Sequence, residues 1–251
     1  MDNNFTRTLN NFETLNLTEF RANIEKYISY VESGEKTMVD ALYELTELEM
    51  ELRTKRAMNA CVKVANFPYI KRLSDFDFSF QPSINKEQIM NFKYLQFIEN
   101  KENIIFIGSP GVGKTHLATA IGIEAASLRT STYFIGCNDL VLQLKKAHIE
   151  NRLEQRLKFF SKYKLLIIDE VGFLPLDTES SNLLFQLIAK RYEKNSTIVT
   201  TNKSLSRWGE IFGDPVIANA ILDRLLHHSH VINIVGRSYR TKDIIDDDKW
   251  A

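Results

Sequence analysis

Cysteine is scarce: Cys61 and Cys137 stand alone and far apart in 251 residues. That excludes a disulfide framework and leaves no thiol cluster for a zinc knuckle. An excess of either charge is missing too, because 32 Lys and Arg balance 32 Asp and Glu for a formal net charge of zero. No whole-molecule pull toward nucleic acid or anionic membrane is expected, so any such binding must use a local patch. No apolar run approaches the ~18 residues of a membrane span, and residues 1–10 lack a basic-then-apolar signal pattern. The expectation is a cytoplasmic protein with no membrane partner. Internal repeats and low-complexity tracts are absent as well. What is there, 44% hydrophobic and 25% charged residues, matches ordinary folded domains. The length suits one large domain, or a domain with a smaller companion.

Apolar residues recur at helical spacing over 17–31 and 37–63, where Met38, Ala41, Leu42, Leu45, Leu48 and Leu52 form a stripe. Gly34 breaks the two helices apart, and Thr37 with Asp40 has the form of a capping box. The opposite face carries Glu44, Glu47, Glu51, Arg53, Lys55 and Arg56, a mixed-sign run that reads as a solvated surface before a partner-binding one. Over 67–91 the period is lost among Pro68, Pro82 and the aromatics Phe76, Phe78 and Phe80, which reads as a structured linker. Beyond it, candidate strands at 104–107, 132–135, 164–168, 197–200 and 231–234 alternate with candidate helices at 116–128, 140–160, 180–192 and 216–226. Repeated β-α alternation predicts an α/β fold with a mainly parallel sheet covered on both faces. The expected domains are a helical 1–65 and a sheet-containing 66–251.

The first strand runs into Gly108-Ser109-Pro110-Gly111-Val112-Gly113-Lys114-Thr115, a full G-x-x-x-x-G-K-[ST] phosphate loop opening a helix at His116. Its glycines let backbone N–H groups turn toward phosphate oxygens, and the helix N-terminus adds a favourable dipole. Lys114 is suited to the β- and γ-phosphates and Thr115 to a magnesium ion. The third strand ends in Asp169-Glu170, at the sheet edge where parallel folds put ligands. Alone, such a pair could cap a helix. Coupled to the phosphate loop, Asp169 reads as the magnesium residue and Glu170 as the group that orients or deprotonates water, which points to hydrolysis. Asn202, after the fourth strand, could position that water or simply leave the strand in a turn.

Taken together, these residues resemble the AAA+ ATPases. The stretches Ala65-Asn66-Phe67-Pro68-Tyr69 and Asp75-Phe76-Asp77-Phe78, the phosphate loop, and Ala220-Ile221-Leu222-Asp223-Arg224-Leu225-Leu226-His227-His228 resemble more closely the IstB family, helper ATPases of insertion-sequence transposition. That resemblance runs over essentially the whole chain. It implies a five-stranded parallel AAA+ sheet with a small helical N-terminal domain, ATP and Mg2+ as cofactors, and a homo-oligomer. It implies Asn202 as sensor 1, Arg224 as an arginine finger acting on a neighbour's ATP, and Arg240 as sensor 2, with Arg237 near enough to compete. His116 joins the nucleotide-binding set.

The resemblance also implies duplex DNA and the transposase of the same element as partners. Lys145 and Lys146, in the most basic stretch of the chain, are DNA candidates by phosphate neutralisation, against a solvated face balanced by Glu150 and Glu154. His227, His228 and His230 suggest packing or capping at a helix end before metal binding. The helicase loader DnaC shares the core, so a replicative helicase loader is the alternative function. A metabolic kinase fits worse, because Glu170 and Asn202 suit water activation.

Overall fold

A computed structural model describes residues 3–241; Met1, Asp2 and residues 242–251, the outer ends of the two expected domains, lie outside the described residues. The chain divides into two compact units, Met1–Ala60 and Cys61–Ala251.

The first unit contains α1 (Asn4–Thr14), α2 (Thr18–Glu32) and most of α3 (Met38–Val64). The Asn3 side chain caps α1, and the Thr37–Asp40 capping box forms in both directions, with Asp40 N–H on Thr37 Oγ1 at 3.1 Å and Thr37 N–H on Asp40 Oδ2 at 3.4 Å. Tyr27, Ala41 and Leu45 are the buried centre, with Phe20, Ile24, Tyr30, Val31 and Leu48 around them. Met38 and Leu42, expected in the stripe, are instead 59% and 46% exposed. A helix packed mainly on one neighbour buries only a narrow seam, here Ala41, Leu45, Leu48 and Glu49. Glu49 is buried at the start of α2, whose N-cap residue Leu17 offers no side-chain cap; the Glu49 carboxylate accepts from Glu19 N–H at 2.8 Å instead.

In the second unit, the short helices α4 (Lys86–Asn91) and α5 (Gln96–Glu99) precede β1 (Asn103–Gly108). Then follow α6 (Lys114–Ser127), β2 (Thr132–Gly136), α7 (Cys137–Ile149), α8 (Leu153–Ser161), β3 (Leu165–Val171), α9 (Thr178–Arg191), β4 (Ser196–Thr201), α10 (Trp208–Phe212), α11 (Pro215–Leu226) and β5 (Ser229–Ile234). The five strands form one parallel sheet in the order β2-β3-β4-β1-β5. Side chains alternate across it. Ile105, Leu166, Ile168 and Val199 pack under α7, α9 and α11, whereas Ile104, Phe106, Ile167 and Ile198 pack under α6.

Two expectations change. The helix expected over 140–160 is two helices, because Asn151 takes φ +54° and Arg152 N–H closes the turn on Ala147 O at 2.7 Å. Asparagine tolerates the left-handed region better than most residues, so the break falls there. The stretch expected as a linker over 67–91 belongs to the core: Leu73, Phe76, Ile84 and Ile89 are buried in the same layer as α6. Its lack of period reflects a chain that wraps over the sheet instead of forming one element. Among the described residues, no helix is long and apolar enough to cross a membrane.

Candidate functional site

The loop after β1 has the backbone its glycines permit. Gly111 and Gly113 sit at φ +83° and +101°, where L side chains are strained, and a Cβ on Gly113 would lie 2.5 Å from the Phe76 ring. Gly113 is the N-cap of α6 and supplies no side-chain acceptor. The first N–H groups of α6 are therefore available to an anion, and the loop fits a polyphosphate.

Lys114 Nζ lies back along this loop, donating to Gly108 O at 2.7 Å and Ser109 O at 2.8 Å. Burial lowers its pKa, opposed by the Asp169 and Glu170 charges. One residue on, Thr115 Oγ1 donates to the Asp169 carboxylate, 3.0 and 3.1 Å from its two oxygens. Asp169 is 7% exposed. Burial holds its carboxyl above the usual value, against hydrogen bonds from Thr200 and Thr115 and the charge of Lys114. Glu170 is exposed, with φ +60° and its N–H on Thr200 Oγ1 at 2.9 Å.

These groups border a cleft of about 440 Å³ at the C-terminal edge of the sheet. Pro110, Gly111, Val112, Gly113, Lys114, Thr115 and His116 line it; Gly108 and Ser109 contribute through the carbonyls that hold Lys114. Glu170 and Asn202 line the opposite side, and Arg240 closes on it from beyond β5. Arg237, its competitor, gives its backbone carbonyl to Gln81 Nε2 at 2.9 Å and is not among the lining residues. His116 rests edge-on to Phe76, with Nε2 3.2 Å from Arg72 O, and burial lowers its pKa.

Arg224 does not line this cleft. It donates to Ala220 O at 2.9 Å, and its guanidinium lies 4.8 Å over the Phe185 ring and 6.0 Å from Tyr192. Lys145 is tied within its own chain to Asp177 at 2.5 Å, while Lys146 is exposed. The three histidines do not form one cluster. His230 pairs with Glu102 at 2.9 Å, whereas exposed His227 and His228 lie beside Glu193 with ligand atoms within 4.8 Å of one another. The Tyr192 hydroxyl engages His227 Nδ1 at 2.7 Å.

Sequence reasoning missed Tyr69, Lys71, Gln81 and Tyr239 as cleft residues, and Thr200 as the group joining Asp169 to Glu170. The aromatic density of the supposed linker was the available signal, because aromatics in an aperiodic stretch still need a surface to cover.

Comparison with known proteins places the chain in a family. The model of the family described as IstB-like ATP binding protein matches residues 10–246. The ATP-binding protein of insertion sequence IS232 from Bacillus thuringiensis subsp. berliner is 53% identical, over 97% of both chains. That of insertion sequence IS21 from Pseudomonas aeruginosa is 42% identical, over 91% of this chain and 86% of its own. Among solved structures, the DnaC helicase loader is 26% identical with TM-score 0.54, covering 69% of this chain and 98% of the loader. DnaA from Aquifex aeolicus, at 17% identity and TM-score 0.57 over 72% of this chain and 55% of its own, shares the AAA+ fold. With a phosphate loop, an acidic strand end and a five-stranded parallel sheet in one arrangement, the chain belongs to the IstB-like family of ATP-binding proteins.

Proposed function

We propose that this protein is a magnesium-dependent ATPase that assembles on duplex DNA and presents it to the transposase of its insertion element. The observation that carries the chemistry is the convergence of Lys114, Thr115 and Glu170 on one cleft, with Asp169 bonded behind Thr115. Lys114 leaves the Gly108 and Ser109 carbonyls for the β- and γ-phosphates. Thr115 and Asp169 would hold the magnesium ion, which when bound offsets phosphate charge. Glu170 takes the proton of the attacking water while Asn202 orients it. The water oxygen bonds to the γ-phosphorus, the bond to the β,γ-bridging oxygen breaks, and its electron pair leaves with ADP. Arg240 faces the γ-phosphate from the same chain. Arg224, stacked on Phe185 outside its own cleft, supplies positive charge to a neighbour's ATP.

The transposition role rests on the insertion-sequence relatives. Exposed Lys146 is the better DNA candidate of the basic pair, because Lys145 already serves Asp177. The helical residues 1–65 form a separate domain that supports assembly, with 66–251 as the ATPase. The likeness to the DnaC helicase loader favours one second reading, a helicase loader built on the same core.

The test is light scattering and ATP turnover on random duplex DNA. Wild type forms large assemblies only with ATP and DNA, and Lys114→Ala forms none. Arg224→Ala and Lys114→Ala are each inactive, yet mixing them restores part of the turnover, because one subunit lends its arginine to the other's intact site. No restoration removes the finger in trans. A protein that stays small on DNA but binds a replicative helicase is a loader.

A further inference from the structure

We propose that Thr200 is a positioning residue for hydrolysis, its one hydroxyl setting both the Asp169 carboxylate and the backbone of Glu170; this rests on the ATPase reading above. Strands β3 and β4 run in register from Leu165 opposite Ser196 to Ile168 opposite Val199, and resume with Val171 opposite Thr201. Three steps along β3 thus face two along β4, so one extra residue is inserted at Asp169-Glu170. Such a bulge re-aims a side chain and takes a backbone N–H out of the ladder.

The displaced N–H belongs to Glu170, and Thr200 Oγ1 accepts it at 2.9 Å. Glu170 is also at φ +60°, a conformation strained for any residue with a Cβ. The hydroxyl therefore supports a backbone that would otherwise relax, and that backbone directs the Glu170 side chain to the cleft.

Proton accounting decides what the same oxygen does next. A threonine hydroxyl has one proton and two lone pairs. Because the Glu170 N–H can only donate, the Thr200 proton is left for the Asp169 carboxylate, and Thr200 Oγ1 donates to Asp169 Oδ1. Thr115 Oγ1 approaches the same carboxylate at 3.0 Å. Two hydroxyls thus set the orientation of Asp169, and one of them also sets Glu170. Thr200 is fully buried, and its branched Cβ restricts the rotamers the hydroxyl can adopt.

The experiment compares Thr200→Val, which keeps the shape and deletes the hydroxyl, with Thr200→Ser, which keeps the hydroxyl. Three readouts are taken: ATP turnover on duplex DNA, binding of a fluorescent ATP analogue, and hydrogen exchange at the Glu170 amide by NMR. Expected for Thr200→Val are a kcat lowered about 10- to 100-fold, less than the roughly 100- to 10,000-fold contribution of a group that transfers the proton itself, nucleotide Kd within about threefold, and faster Glu170 exchange. Thr200→Ser restores kcat to near wild type. A Thr200→Val protein with wild-type kcat overturns the proposal, as does a Glu170 amide still protected in it. A wild type that binds ATP without splitting it overturns the hydrolysis reading instead, and the Glu170 amide alone then decides whether Thr200 holds the bulge.

Discussion

Arg191, the last residue of α9, is the strongest single test of how the second unit is held together. The residue is 1% exposed, and its guanidinium contacts oxygens of the end of α8, the turn after it and the start of β4. It donates to Phe160 O at 2.9 Å, Tyr163 O at 2.8 Å, Thr197 Oγ1 at 3.1 Å and, more closely, Ser196 O. Burial lowers its pKa to about 9, which leaves it charged at neutral pH. Arg191→Met keeps most of the volume and removes both the charge and the donors. Losing the charge relieves a desolvation penalty, but the carbonyls closing α8 and opening β4 then lose their partner. At about 1–3 kcal/mol for each buried orphan, partly offset by the relieved desolvation, the net loss is about 3–5 kcal/mol. For a unit of this size that lowers Tm by about 10 °C. Thermal and urea unfolding measure it, with ATP affinity recorded below the transition. The affinity should hold, because Arg191 ties the N-terminal ends of β3 and β4, opposite the cleft. A variant within about 1 kcal/mol of wild type at an unchanged m-value would refute this account.

Two further outcomes follow from the cleft. Gly113→Ala puts a Cβ at φ +101° and 2.5 Å from the Phe76 ring, so the loop must shift; ATP affinity measured by calorimetry should fall at least about tenfold, the result of losing ~1.4 kcal/mol. Asp169→Asn should raise Tm near neutral pH while abolishing turnover. A buried carboxyl whose folded pKa lies above its unfolded value costs stability when ionised, so wild type itself gains stability as pH falls from neutral through that folded pKa. Calorimetric scans at several pH values should show the Tm gap between variant and wild type closing on acidification; a gap that widens would reverse the sign.

Much of this protein was legible from residue order alone. The five strands were each located to within a few residues, because apolar runs bounded by turn residues need no partner to be recognised. Lys114 and Thr115 stood out as candidates by spacing, since phosphate binding needs glycine and lysine at fixed intervals on one loop, and Asp169 and Glu170 by their place at the end of a strand. Tertiary structure decided the rest. Residues 67–91 carry no period, so only packing against α6 reveals that Phe76 lies beside the phosphate loop. Thr200 reads as a strand residue until a bulge in β3 brings an N–H and a carboxylate to its hydroxyl. Arg191 is one more position of a candidate helix at 180–192 until the chain folds five oxygens around its guanidinium. Local chemistry is written in neighbours along the chain, whereas the pairing of a donor in one strand with an acceptor in another exists only once the sheet has formed.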